Sequence, residues 1–338
     1  MSSLKIGVIG GGAWGTSFAK YLAEVKNYNT LLWVKEKEVL DDILESRENK
    51  IFLPEIKLPK NLIPSDNLKY TIENSDIIVI AVPSKFCPEI YNDIAKYLSN
   101  QYIVSLTKGL DEKNIWFLSE LMEKSFPAEL KNKIAVLSGP SFAKELALNH
   151  PTAVVVASKD EITAQIIQEG FSSETLRIYI TTDVRGVELG GALKNVIAIA
   201  SGITAGMGFG FNSVASLITR GNIEIIRLGL KLDAKEQTFL GLSGIGDLML
   251  TCFGPLSRNR TFGYRIGQGE NMDNILRNSK TVVEGLTTVK TALKLAEKYN
   301  TEMPITESIY EILYKKLPLK EAVKKLMKRS LKKEWNIK

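Results

Sequence analysis

Runs of Val, Ile and Leu recur through the first half of the chain, at Lys5–Ile9, Thr30–Val34, Ile77–Val82, Tyr102–Leu106, Ile134–Leu137, Ala153–Ala157 and Leu176–Ile180. Such short unbroken apolar runs predict strands buried on both faces. Amphipathic stretches at Thr16–Lys26, Cys87–Leu98, Ile115–Lys124 and Glu161–Phe171 predict helices between them. Strands alternating with helices predict a doubly wound, mostly parallel sheet covered on both faces. Residues Asn49 to Asn67, with Pro54, Pro59 and Pro64, read as a long irregular excursion.

Beyond about Thr182 the strand pattern stops. Val187–Ala205, Ser213–Gly229, Ala234–Leu240, Thr281–Lys298 and Ser308–Lys316 read as helices, and Val214, Leu217, Ile218, Ile225 and Leu228 make one apolar stripe. The expectation is an α/β domain over residues 1–184 and an all-α domain over residues 185–338.

Composition narrows this picture without changing it. Hydrophobic residues at 44% and charged residues at 24% suit a folded globular chain. No apolar run approaches the roughly 18 to 20 residues that cross a bilayer. The start Met1-Ser2-Ser3-Leu4-Lys5 has no signal-peptide pattern, so the cytoplasm is the expected location. Cys87 and Cys252 lack partners at metal-ligand spacing and read as buried hydrophobes; no metal is expected. The formal charge of +6 favours an anionic substrate. Lys324, Lys325, Lys328, Lys332 and Lys333 are interleaved with Leu319, Ala322, Val323, Leu326 and Met327. That spacing favours an amphipathic terminal helix starting near Pro318 over a nucleic-acid surface.

The first strand runs into Gly10-Gly11-Gly12-Ala13-Trp14-Gly15 and then a helix. In a G-x-G-x-x-G loop Gly10 makes the tight turn, Gly12 admits a pyrophosphate and Gly15 lets helix and strand touch. The N–H groups at the helix start face the phosphates. The first domain is therefore expected to be Rossmann-type and to hold NAD(P)H. After the second strand, Lys35 suits a 2′-phosphate and Glu36 a free ribose hydroxyl, which leaves NAD and NADP both open.

Moving a hydride to or from a carbon bearing oxygen needs a proton donor and acceptor. The single histidine, His150, stands beside Pro151 in an apparent turn, a poor place for that role. A lysine with a lowered pKa is the alternative. Lys194 lies in the small, apolar helix around Gly190, Gly191 and Ala198, where a snorkelling structural lysine is the competing reading. Lys108 follows a strand at the carboxyl edge of the sheet, where a merely solvated lysine is as common. Asp247, in Gly244-Ile-Gly-Asp247, is placed either to pair with a lysine or to cap a helix. Ser257-Arg258-Asn259-Arg260 follows Gly254-Pro255, and an arginine at a helix start suits a phosphate.

With these residues in place, the chain resembles the NAD(P)-dependent glycerol-3-phosphate dehydrogenase family in its bacterial form. The resemblance rests on Gly10–Thr16, Ala81–Ser84, Ser105–Gly109, Leu137–Glu145, Gly191–Val196, Leu217–Gly221, Gly241–Cys252, Ser257–Arg260, Val283–Gly285 and Met303–Ile305. It implies interconversion of dihydroxyacetone phosphate and sn-glycerol 3-phosphate, feeding phospholipid synthesis. By matching positions, Lys194 would donate and accept the proton. Lys108 would touch substrate and cofactor and depress the Lys194 pKa, while Asn195, Asp247 and Thr251 orient the site. Gly139 and Ser141 would line the substrate pocket, with Ser257, Arg258 and Asn259 gripping the substrate. Ala13, Trp14, Lys35, Lys108, Ala143, Arg258, Val282 and Glu284 match cofactor-contacting positions. A homodimer built through the helical domain is also implied.

Two departures stand out. Phe211 replaces the acid that the family commonly carries after Gly-Phe-Gly, and Glu36 stands where bacterial members often have a second basic residue. Two rivals remain: another lysine-based dehydrogenase of the 3-hydroxyacid or 6-phosphogluconate type, and a module that senses NAD(H) without catalysis. Ser257-Arg-Asn259 and Gly-Ile-Gly-Asp247 argue against the first; a lysine pair with a phosphate grip argues against the second.

Overall fold

The computed structural model describes residues 4–278 and 282–334. The chain divides into two compact units, Met1–Thr107 with Leu118–Val184, and Lys108–Phe117 with Arg185–Lys338.

The first unit is built on strands β1 (Lys5–Ile9), β2 (Asn29–Trp33), β3 (Glu48–Asn49), β4 (Leu53–Lys57), β5 (Leu62–Ser65), β6 (Ile77–Ile80) and β7 (Tyr102–Ser105). In the second unit, β8 (Leu110–Asp111) and β9 (Trp116–Phe117) form a small antiparallel pair. The first unit then resumes with β10 (Ile134–Ser138), β11 (Thr152–Ala157) and β12 (Leu176–Thr181). Its main sheet has eight strands in the order β12-β11-β10-β7-β6-β1-β2-β5. Every pairing is parallel except β10 with β11. Every expected strand is present, as is the mostly parallel sheet.

The central strands are sealed: Ile6, Val8, Leu32, Val79 and Val104 are wholly buried. Helices α1 (Ala13–Glu24), α2 (Lys37–Ser46), α3 (Leu68–Glu73), α4 (Cys87–Ala95), α5 (Leu118–Ser125), α6 (Ala143–Ala147) and α7 (Glu161–Phe171) complete the unit. Of the helices that contribute to its core, α1 is the most deeply sunk, with Phe18, Tyr21 and Leu22 fully buried.

Two sequence expectations need correction here. The excursion Asn49–Asn67 is not wholly irregular. Residues 53–57 pair with Glu48–Asn49, and β5 joins the main sheet beside β2. Pro64 sits within β5, which is tolerated because β5 is an edge strand and has one side without a ladder. The helix expected at Ile115–Lys124 begins only at Leu118. Ile115 has a φ of 58°, a left-handed value that a β-branched residue cannot hold inside a helix. The chain turns there so that β9 can return along β8. Residues Lys108–Phe117, inside the span expected for the α/β domain, consequently belong to the second unit.

The rest of the second unit is helical. Its elements are α8 (Val184–Gly206), α9 (Phe211–Lys231), α10 (Glu236–Leu240), a π-turn at Leu242–Gly246, α11 (Asp247–Phe253), α12 (Arg258–Gly267), α13 (Met272–Arg277), α14 (Glu284–Lys298), α15 (Pro304–Lys315) and α16 (Leu319–Met327). The expected helix Thr281–Lys298 is α14, and its first residue Thr281 lies outside the described residues. Helix α8 is the centre of this unit. It is long and apolar enough to cross a bilayer, contrary to the expectation that no such run exists, but 83% of its apolar stretch is buried within the fold.

Helix α8 meets α12 at backbone contact distance. A Cβ on Gly202 would lie 2.1 Å from the Arg260 carbonyl oxygen, and one on Gly206 would lie 2.2 Å from that of Tyr264. The reciprocal positions Gly263 and Gly267 approach Ile199 and Ile203 as closely. Two Gly-x-x-x-Gly faces therefore bring α12 against α8, which lets short side chains near its start reach those of α8. Glu224, buried in α9, accepts from the Ile305 and Thr306 N–H groups and so caps α15 from the side. Burial raises its carboxyl to about 7.

Candidate functional site

In the first unit, the glycine loop is shaped at Gly10 and Gly15 by contacts that leave no room for side chains. Gly10 has a φ of 126°, and its N–H bonds to the Trp33 carbonyl. A Cβ on Gly15 would stand 2.0 Å from the Gly10 carbonyl oxygen, whereas one on Gly12 would meet nothing within 4 Å. The close contact is inside the turn and the open space is on its outer side. Gly12 caps α1 without any side-chain hydrogen bond, and no acid stands in the first turn. The N–H groups there remain available to an anion. Those features fit a dinucleotide pyrophosphate.

Asn49 holds this loop from behind and was not picked out from the sequence. It is fully buried, and its Nδ2 donates to the Gly11 carbonyl at 2.8 Å and to Thr16 Oγ1 at 2.9 Å. A lone asparagine among turn residues carries no motif, so only the fold reveals it. Trp14 packs on Phe18 with ring centroids 5.8 Å apart, and Ser17 donates to the Ala143 carbonyl. Lys35 is exposed at the end of β2 and pairs with Glu89 at 3.6 Å; Glu36 is exposed and caps α2 through its backbone. Gly139 follows β10 with a φ of 140° and accepts at its carbonyl from the Ser141 hydroxyl.

Gly15→Ala is expected to destabilise the protein by about 1–3 kcal/mol, because the methyl forces the loop backbone apart. It should also weaken NADH binding, read by fluorescence titration. A variant with unchanged affinity and melting temperature would contradict that account of the loop.

The second unit gathers the charged residues. Lys194, one-sixteenth exposed on α8, donates to Asp247 Oδ1 at 2.5 Å and to Thr251 Oγ1 at 2.8 Å. Lys108 donates to the other oxygen, Oδ2, at 2.7 Å. One carboxylate thus bridges two ammonium groups and is itself only 1% exposed. Thr251 in turn donates to the Asp247 carbonyl, which fixes its hydroxyl as an acceptor for Lys194. The π-turn puts Asp247 here. Gly244 has φ −95° and ψ −109°, and the break lets α11 start at the aspartate.

Burial lowers the Lys194 amine to about 8, opposed by the Asp247 carboxylate and assisted by the Lys108 ammonium. A group poised near neutrality in a dry setting suits proton transfer in either direction. Solvated flanks would have left this lysine near its ordinary value.

Beside this cluster runs an amide chain. Asn259 Nδ2 donates to Asn195 Oδ1 at 2.9 Å, and its Oδ1 accepts from the Gly285 N–H at 3.0 Å. Much of the Asn259 amide is therefore committed to tying α12 to α8 and α14. Ser257 caps α12 by accepting from the Arg260 N–H, with its own hydroxyl proton still to donate. Arg258, the first residue of α12, is exposed and lines a cleft with Thr261, Phe262, Ile275 and Val283. Val282 and Glu284 flank the start of α14. Phe211 opens α9 and is 83% exposed.

A dinucleotide loop on a Rossmann sheet, with a buried lysine–aspartate–lysine cluster and an arginine cleft in a helical unit, defines the class: a nicotinamide-dependent dehydrogenase. Comparison with known proteins makes this specific. Residues 5–164 match the NAD-dependent glycerol-3-phosphate dehydrogenase N-terminus and residues 183–324 its C-terminus. A glycerol-3-phosphate dehydrogenase [NAD(P)+] of Geobacter sp. (strain M21) is 45% identical over 331 residues, covering 98% of both chains. One from Leptospira biflexa is 45% identical over 332 residues, covering 98% of this chain and 99% of its own. The crystal structure of the Coxiella burnetii glycerol-3-phosphate dehydrogenase superposes with a TM-score of 0.91 at 35% identity, covering 97% of this chain and 99% of that one.

The chain belongs to the NAD(P)-dependent glycerol-3-phosphate dehydrogenase family. It is an oxidoreductase that reduces dihydroxyacetone phosphate to sn-glycerol 3-phosphate, the reaction that supplies glycerophospholipid synthesis.

Proposed function

We propose that Lys194 is the proton donor in ketone reduction and the acceptor in alcohol oxidation. The observation that carries this reading is the single buried carboxylate of Asp247 shared by Lys194 and Lys108. Gly10, Gly12, Ala13, Trp14 and Gly15 would hold the reduced nicotinamide cofactor, which would serve as the hydride source for the carbonyl carbon. Lys194 delivers one proton to the carbonyl oxygen, so the products are the alcohol, a neutral lysine and oxidised cofactor. Lys108 holds the reacting oxygen and adds positive charge, while Thr251 and Asn195 set the direction of the amine. Arg258 and the Ser257 hydroxyl bind the substrate phosphate, with Asn259 fixing their helix. Gly139 and Ser141 line the substrate side of the first unit. Lys35, Ala143, Val282 and Glu284 complete the cofactor contacts.

The pH profile tests this. A lysine poised at about 8 must be charged to reduce the ketone and neutral to oxidise the alcohol. Reduction measured as kcat/KM should fall as pH rises through that value, and oxidation should rise through it. Profiles flat between about pH 6 and 9 in both directions would exclude Lys194 as the titrating group.

Arg258→Ala is expected to raise the KM for dihydroxyacetone phosphate by about 10- to 100-fold, through loss of a charge-assisted contact. The Kd of NADH should change less than that. An unchanged KM and kcat would leave Arg258 as a surface residue.

The organisation proposed is a cofactor domain of residues 1–107 and 118–184 and a substrate domain of residues 108–117 and 185–338, the latter forming a homodimer in the cytoplasm. Sedimentation equilibrium of the purified protein decides the last assembly point, since a monomer at micromolar concentration rules it out.

A further inference from the structure

The basic charge of this chain is concentrated at one end. Between Lys315 and Lys338 there are ten lysines and arginines against two glutamates, an excess larger than the +6 of the whole protein. The remainder is therefore slightly acidic. Helix α16 turns Leu319 and Leu326 onto the core and buries Ala322. Its outer side carries Lys320, Lys324 and Lys328 at i, i+4 and i+8, all exposed.

Some nearby cations are neutralised within the fold. Lys325 pairs with Glu311 at 2.7 Å, and Arg329 and Lys332 share Glu302 at 2.8 and 2.9 Å. Among the described residues, Lys320, Lys324 and Lys328 have no carboxylate within ion-pair distance. A stripe of like charge at this spacing disfavours the helix that bears it. Met327, in the same stretch, is 80% exposed, and Leu331 just beyond is fully exposed. Apolar tips among lysines gain nothing in water.

We propose that the stretch Lys320–Lys333 is an adsorption surface for an anionic lipid bilayer. Lipid headgroups neutralise the Lys320-Lys324-Lys328 stripe, and Met327 and Leu331 enter the boundary between headgroups and acyl chains. A nucleic acid would satisfy the charges but would give those two side chains no apolar medium. Each lysine brought to such a surface strengthens adsorption roughly fivefold at low salt.

The test is sedimentation of the full-length protein with vesicles of phosphatidylcholine alone or with about one-third phosphatidylglycerol. Binding is expected only to the anionic vesicles, and should weaken at least tenfold when salt rises from about 20 to 300 mM. K320E/K324E/K328E should abolish it while dihydroxyacetone phosphate reduction stays at the wild-type rate, which also reports that the variant is folded. M327S/L331S should weaken vesicle binding several-fold without changing retention on heparin. No preference for anionic vesicles overturns the proposal. So does equal or tighter binding to duplex DNA in competition. A charge-reversal variant that changes only the oligomeric state would assign the stripe to a subunit interface instead.

Discussion

Replacing Lys194 by alanine is expected to lower turnover by roughly 10²- to 10⁴-fold, the contribution of a positioned acid-base group. The protein should survive the change well. Asp247 keeps its ion pair with Lys108, so no buried carboxylate is stranded. Affinity for NADH should stay close to wild type, because the glycine loop is in the other unit. The comparison to make is single-turnover hydride transfer against NADH titration on the same preparation. If hydride transfer falls less than tenfold, another group carries the proton. Added small primary amines should restore part of the rate to Lys194→Ala, an effect that a purely structural lysine would not produce.

The second large effect is expected at Asp247, and it separates charge from shape. Asp247→Ala leaves Lys194 and Lys108 facing each other across a dry site without a counter-charge. Removing one partner of a buried ionic cluster typically costs about 3–5 kcal/mol. The Lys194 amine would also lose the carboxylate that holds it up and would fall further below its ordinary range. Reduction near neutral pH then loses its protonated acid. Asp247→Asn retains an acceptor of the same shape and should fold better, but its rate profile should shift toward lower pH. Denaturant unfolding and the pH dependence of kcat read the two effects separately. Equal stability for wild type and Asp247→Ala would mean that water reaches the cluster and screens it.

The centre of the main sheet was legible because its strands are buried on both sides and must be apolar almost throughout. Ile77–Ile80 and Tyr102–Ser105 could hardly be read otherwise. Edge strand β5 was not legible, since an edge tolerates Pro64 and has one side free of neighbours. The hairpin after Lys108 was hidden for another reason. Ile115, Trp116 and Phe117 have the apolar character of a helix start, and only the left-handed backbone at Ile115 redirects them. Within the site, Lys194 was conspicuous as a charge among small residues, and the structure gives one reason for them: Gly190, a turn earlier on α8, is packed on the π-turn, where a Cβ would lie 2.6 Å from the Ser243 carbonyl oxygen. Asn49 and the Asn195–Asn259 link stayed silent, because amide contacts between distant segments leave no local pattern.

The ten residues Lys108–Phe117 have a consequence for how this enzyme can be divided. A gene fragment starting at Arg185 encodes nearly all of the helical unit, yet it omits the second ammonium of the cluster and the β8–β9 pair. A chimera joined at residue 184 would take Lys108 from one parent and Asp247 from the other. Modular exchange of cofactor and substrate halves therefore needs three junctions, at 107, 117 and 184, before both members of the Lys108–Asp247 pair share one ancestry.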